Sequence, residues 1–297
     1  MTMPNFFLIG AMKAGTTSIY HYLGEHPEIF MSPRKEPNFF AFEDRVSFSG
    51  PGDSQLNWVA SLNSYRSLFE GASREKAVGE GSTLYLYSPT SAVRIREHLP
   101  HARFIAILRD PVDRAYSNYL HWFRRGSEPL ADFSEAIRSE EKRVRENWSP
   151  GWHYVRKGFY HRQLKRYAEV YPRSRMMVRL YDDLVADPLG LMRDIFRFLE
   201  VDDGFVPDVS RRYNTGRMPR STLLHRLLVR PHALRSLLKP LLPKTLRRRW
   251  GTILRERNLQ TPLPLSAELR AELQNVYRED IMQLQDLIRR DLSSWLT

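Results

Sequence analysis

Phe6-Phe7-Leu8-Ile9-Gly10-Ala11-Met12-Lys13-Ala14-Gly15-Thr16-Thr17-Ser18 is the stretch whose reading decides the fold. Four bulky apolar residues end at a glycine, as a short buried strand does. A glycine-bounded loop follows. Thr16-Thr17-Ser18 then leads into the amphipathic run Ile19-Tyr20-His21-Tyr22-Leu23, which reads as a helix. Strand, glycine loop and helix in that order make the first half of a βαβ unit. Gly10 and Gly15 have the Gly-x4-Gly spacing of a loop that wraps its backbone N–H groups around a phosphate at a helix N-terminus. The nucleoside-triphosphate version continues with Lys and then Ser/Thr. Here Thr16 stands at the lysine position, and the lysine lies inside the loop at Lys13. A lysine so placed serves a shorter, diphosphate-like anion.

Working outward, Ile29 to Phe42 reads as extended or loop-like. Residues 55–70 read as a helix, with Leu56, Val59, Leu62, Tyr65 and Phe69 near helical spacing. Ala77–Glu80 reads as a strand and Ala92–Leu99 as a helix. Phe104–Leu108 is the clearest buried strand, and Asp110-Pro111 behind it is a helix-start signal. Helices are predicted over 112–124, 132–147, 159–170 and 189–199, and a strand over 176–180. Strands alternating with helices predict a parallel sheet covered on both faces. Residues 204–222 read as a polar loop. In 266–292, Leu269, Leu273, Val276, Tyr277, Leu284, Leu287 and Ile288 form one core-packing helical stripe.

The 297-residue chain carries 46 Lys+Arg against 34 Asp+Glu and no cysteine. Its 42% apolar content is enough for a sizeable core, which excludes wholesale disorder. Without cysteine there is no disulfide scaffold, Cys-zinc site, iron–sulfur cluster or thiol nucleophile. Metal-ligand spacing is also absent. No apolar run suits a membrane span or signal peptide, so a cytoplasmic protein is expected. The net charge of +12 points to an anionic partner. Most of it falls in 223–258, where ten Lys/Arg meet one acid, Glu256. Leu223, Leu224, Leu227, Leu228 and Val229 interleave there with Arg226 and Arg230. This segment reads as a plain surface, an anionic acceptor's groove or a membrane-surface contact.

Ile9 to Ser18 resembles the 5′-phosphosulfate loop of sulfotransferases that use 3′-phosphoadenosine 5′-phosphosulfate (PAPS). Phe104-Ile-Ala-Ile-Leu-Arg109-Asp-Pro-Val-Asp-Arg-Ala-Tyr-Ser117 resembles that family's 3′-phosphate motif. Lys35-Glu36-Pro37-Asn38-Phe39-Phe40 resembles the Lys-Glu-x-x-Phe-Phe run of its Golgi and bacterial branches. The resemblance implies an α/β fold with a P-loop-NTPase-like parallel sheet flanked by helices and a helical C-terminal part. It implies one domain over 1–297: an α/β core over 5–203, a basic lid or acceptor side over 204–258, and C-terminal helices over 259–297. PAPS would be the donor, with no metal required. Lys13, Ala14, Gly15, Thr16, Thr17 and Ser18 would hold its 5′ end, with Lys13 on the leaving group. Arg109 and Ser117 would read the 3′-phosphate; the competing role for Arg109 is an ion pair with Asp113 or Glu80. Tyr213, Thr215, Gly216 and Arg217 would close over the nucleotide.

Sulfuryl transfer needs an activated acceptor hydroxyl, and Glu36 is the candidate base. His21, His26 and His121 compete, as the cytosolic branch uses a histidine. The chain departs from the family in three places. Ser18 stands where the cytosolic branch has Trp. Gly79-Glu80-Gly81-Ser82-Thr83 lacks the lysine that the heparan-sulfate branch has after its Glu, leaving that job to Lys35, Arg34 or nothing. A disulfide on the acceptor side cannot form. The acceptor class therefore stays open among carbohydrate, lipid and natural product, with no nucleic acid expected. The alternatives are a P-loop kinase-like phosphotransferase, or a non-catalytic basic protein that binds membranes or nucleic acid.

Overall fold

Phe6–Gly10 forms β1, and all five residues are buried because the strand runs through the middle of a sheet covered on both faces. The computed structural model describes residues 2–42, 47–51, 58–211 and 264–297, with the backbone of 218–219 and 259–260. After β1 come α1 (Thr16–Gly24), β2 (Ile29–Met31), α2 (Leu62–Arg66), β3 (Ala77–Gly81), α3 (Leu84–Tyr87) and α4 (Ser91–His98). Next are β4 (Arg103–Leu108), α5 (Pro111–Arg124), α6 (Phe133–Arg138), α7 (Glu140–Arg145) and α8 (Tyr160–Val170). β5 (Met176–Leu180), α9 (Tyr181–Ala186) and α10 (Pro188–Leu199) complete the α/β part. β6 (Met218–Pro219) and β7 (Leu259–Gln260) pair antiparallel, and α11 (Ala267–Ile288) follows.

The main sheet has the order β2-β3-β1-β4-β5, and every pairing is parallel. From β1 the chain moves towards β2 and β3, then crosses back to β4 and β5. The C-terminal ends of β1 and β4 therefore flank the switch point, where open α/β sheets bind ligands. Under the sheet, Phe7 stacks on Phe104 at 5.7 Å and meets Phe40 edge-on at 6.0 Å. Gly79 sits in β3 because a Cβ there would come within 2.2 Å of the Phe6 ring.

The expected elements stand, with four corrections. Residues 52–57 of the helix expected over 55–70 lie outside the described residues, and the helix proper begins only at Leu62, capped by Ser61. The helix expected over 132–147 is two, α6 and α7, meeting at Ser139. The break lets Glu140 turn inward, where its carboxylate accepts the N–H groups of Val155 and Arg156 at 2.6 and 2.8 Å. α3 and α9 were not expected; both are short turns without a long amphipathic pattern. In α11, Val276 is 46% exposed, and Ile281 replaces it in the buried stripe with Leu273, Tyr277 and Leu284. Asp280 of α11 accepts the N–H groups of His161 and Arg162, capping α8 from another helix. The basic stretch 223–258 lies outside the described residues. No helix among the described residues is long and apolar enough to cross a membrane.

Candidate functional site

Four strands deliver the site at their C-terminal ends. Behind β1 the loop is tied to β4 by the Ala11 N–H, which donates to the Ile107 carbonyl at 2.7 Å. Lys13 and Gly15 both take left-handed backbone, φ 71° and 81°. Gly15 is needed there, since a Cβ would lie 2.5 Å from Leu184 Cδ2. Gly15 is the N-cap of α1, and no side chain caps that helix. Its first turn therefore presents N–H groups and the positive end of the helix dipole to an anion. Ala14, Thr16 and Ser18 are buried against this turn, and Thr17 is half-buried.

Behind β4, Asp110 caps α5 by accepting from the N–H groups of Val112 and Asp113 at 2.8 and 2.9 Å. That leaves Arg109 at the strand end, its guanidinium 4.9 Å over the Tyr181 ring and 3.4 Å from the Lys13 carbonyl. Its contact with Asp113 is long, 3.9 Å, and Asp113 pairs instead with Arg270. Glu80 is no partner of Arg109. It is fully buried and accepts from Ser82 and Tyr65 at 2.7 and 3.1 Å. Burial pushes the Glu80 carboxyl up to about 7, against the pull of hydrogen bonds from Tyr85, Ser82 and Tyr65.

Ser117 stands on α5 between Asp113 and His121, one turn from each. The same face continues to Arg124. Lys13 feels the charge of Arg124, and His121 that of Lys13, so both residues lie within electrostatic reach of the loop. Lys13 is drawn down to about 8, first by burial and then by the charges of Arg124, Arg109 and Lys35. No carboxylate pairs with Lys13 among the described residues. The loop is thus a concentration of positive charge without its own counter-ion.

Behind β2, Glu36 takes φ 59° and is locked onto the end of β3. Its N–H donates to the Gly81 carbonyl at 2.9 Å, while its carboxylate accepts from the N–H and hydroxyl of Thr83, each at 3.0 Å. Lys35 Nζ lies 2.9 Å from Glu36 Oε1 and also adds to the field at Lys13. Lys35 is thus paired with the candidate base and within electrostatic reach of the loop. Glu36 keeps 30% of its side chain exposed, as a group that must meet an acceptor requires.

The competing histidines separate cleanly. His26 uses both nitrogens structurally: Nδ1 accepts from the Glu28 N–H, so Nε2 donates to the Asp202 carbonyl. His21 is exposed on α1. His121 is beside the loop, but burial and then Lys13, Arg125, Arg124 and Lys157 push it down to about 3. A group that weakly basic is a poor proton acceptor.

Tyr213, Thr215, Gly216 and Arg217 lie outside the described residues. The described chain on either side touches the helices that carry the site: Tyr22 of α1 donates to the Arg211 carbonyl at 3.0 Å, and β6 runs beside α5. Sequence reasoning missed two groups. Thr83, which holds Glu36, sits in an unremarkable Ser-Thr pair. Lys157 sits in a 3-10 turn, Arg156–Gly158, at no strand end, and nothing in its neighbours in sequence marks it.

A family model described as the sulfotransferase family matches residues 4–205. A membrane-associated sulfotransferase of Dictyostelium discoideum is 33% identical over 168 residues, covering 55% of this chain and 33% of that protein. The human bifunctional heparan sulfate N-deacetylase/N-sulfotransferase 2 is 28% identical over 204 residues, covering 67% of this chain and 22% of that protein. The chain thus spans a third or less of the length of these curated relatives. The crystal structure of a sulfotransferase from Alicyclobacillus acidocaldarius superposes with a TM-score of 0.80 at 34% identity, covering 100% of both chains. The loop behind β1, the arginine behind β4 and the matched span lead to one assignment: the chain belongs to the sulfotransferase family.

Proposed function

We propose that this chain transfers a sulfuryl group from PAPS to an acceptor hydroxyl, with Glu36 as the general base. The observation that carries the reading is the meeting of an unpaired cationic loop, Lys13 at its centre, with an anchored and partly exposed carboxylate at the same sheet edge. The loop fits the 5′ end of PAPS in charge and in its uncapped helix N-terminus. Arg109 and Ser117 fit the 3′-phosphate in chemistry and in place, since Arg109 stands between β4 and α5, beside the Lys13 carbonyl, and Ser117 lies on the helix that follows. When bound, PAPS supplies the sulfuryl group and a phosphate leaving group. Glu36 takes the acceptor proton as the new oxygen–sulfur bond forms. Lys13, at the centre of the loop, would stabilise the charge that develops on the leaving phosphate as its bond to sulfur breaks. Thr83 holds the carboxylate so that no rearrangement is needed at that moment.

The carbohydrate names of the relatives make a sugar hydroxyl one candidate acceptor, beside lipid and natural-product hydroxyls. A kinase-like reading is disfavoured by Asp110, the acid behind β4. Its Oδ1 caps α5 and its Oδ2 faces Arg270 at 3.8 Å, so both oxygens are already committed. The direct test is PAPS turnover with a panel of hydroxyl acceptors, comparing wild type with Glu36→Gln. Loss of a general base costs about 10²- to 10⁴-fold in kcat. The affinity for 3′-phosphoadenosine 5′-phosphate (PAP) is expected to stay within about threefold. Retention of kcat in Glu36→Gln would remove Glu36 from the reaction.

A further inference from the structure

Lys157 is only 4% exposed, yet its ammonium meets no carboxylate within ion-pair distance among the described residues. Nζ donates to Asn118 Oδ1 at 2.9 Å and lies 3.3 Å from Met12 Sδ, a weak acceptor. Asn118 Oδ1 is shared, since Arg114 also donates to it at 3.3 Å. Arg114 is fully buried as well, and it also donates to the neutral Tyr154 carbonyl. Two buried cations thus lean on one amide oxygen. Burial and then Arg114 hold the Lys157 ammonium well below its ordinary range, while Glu140 and Glu36 pull it back up. Glu140 is committed to the N–H groups of Val155 and Arg156. Such an arrangement is costly unless an anion completes it.

The position says which anion. Met12 is the residue before Lys13 in the donor loop, so Nζ abuts that loop from inside the protein. Glu36, the base, is one of the two carboxylates whose field reaches it. His121 lies within the field of both Lys13 and Lys157. Lys157 thus touches the donor loop at Met12 and α5 at Asn118, the residue after Ser117, while Arg109 and Ser117 mark the other phosphate's end.

We propose that Lys157 binds the sulfuryl oxygens of the donor, as a second cation opposite Lys13, and so distinguishes PAPS from PAP. This rests on the donor reading above. It gives the chain a catalytic cation from the turn before α8, a place where the sequence shows no sign of one. Lys157 moves no proton in the transfer; its N–H groups hold the oxygens while the bond to sulfur changes partners.

The test needs no acceptor. Equilibrium affinities for PAPS and for PAP are measured on the full chain, wild type against Lys157→Met, which keeps the length and removes the charge. A charged hydrogen bond lost from the sulfuryl group corresponds to a PAPS affinity about 10- to 100-fold weaker. PAP affinity is expected to change by less than about threefold, because PAP has no sulfuryl group. Lys157→Gln, which keeps a donor for Asn118, replaces the Met variant if that variant does not fold. Equal loss for both nucleotides, or loss for neither, overturns the proposal. Wild type binding neither nucleotide overturns the donor reading itself and this proposal with it.

Discussion

Lys13 carries its charge against two opposing effects, burial and the neighbouring Arg124, Arg109 and Lys35. The sign of the consequence follows from the direction. Below pH about 8 the free protein presents an ammonium to the donor; above it the group is neutral and the loop loses its central cation. PAP affinity is therefore expected to weaken as pH rises from 7 to 9.5, by up to about tenfold per unit above the midpoint. The same titration on Lys13→Ala is expected to be nearly flat. A wild-type profile as flat as the variant's would place the charge elsewhere. Lys13 was legible in sequence because a lysine between two glycines after a buried strand has few other uses. Glu36 was legible only through the run that follows it, since its anchor, Thr83, is 47 residues away. Lys157 was not legible at all. Its burial depends on Asn118 and Met12, which meet only in the fold.

At the scale of elements, the strand-to-helix junctions hold the site in place. Asp110 ends β4 and starts α5, so it sets both the direction of the helix and the place of Arg109. Asp110→Ala is expected to cost about 1 kcal/mol of stability, the usual worth of an N-cap. It should also weaken PAP, because Ser117 and Arg124 ride on the same helix. Asp110→Asn keeps an accepting oxygen and should retain both stability and turnover. Thermal unfolding and PAP titration of the pair check this; inactivity of a stable Asp110→Asn would point to a charge role that capping does not explain. The long elements were legible because their periodicity is strong and their starts are marked, as with Pro111 and Ser266. α6 and α7 were not separable, since the break at Ser139 goes with a tertiary contact, Glu140 turned inward onto Val155 and Arg156. α9 and α3 are too short to show a period. The outward turn of Val276 follows from Ile281 and Asp280 taking the face towards α8, which no single-helix pattern reveals.

At the scale of the whole molecule, a five-stranded parallel sheet gathers Lys13, Glu36, Thr83 and Arg109, residues from four separate parts of the chain, along one edge. That convergence was foreseeable as a class from the alternation of strands and helices, and the fold match to the Alicyclobacillus acidocaldarius enzyme agrees with it. On the proposed function, this edge holds a nucleotide phosphorylated at both its 3′ and 5′ positions. The most direct measurement is calorimetric and thermal titration of wild type, Lys13→Ala and Arg109→Ala with PAP, adenosine 5′-phosphate and ADP–Mg²⁺. Saturable binding of PAP to wild type is expected, with about 2.7 kcal/mol of added stability at 100 times Kd. The two nucleotides that lack the 3′-phosphate should bind more weakly, and each variant should lose at least about tenfold in PAP affinity. Preference for ADP–Mg²⁺, or PAP binding that both variants leave unchanged, would contradict the proposed function.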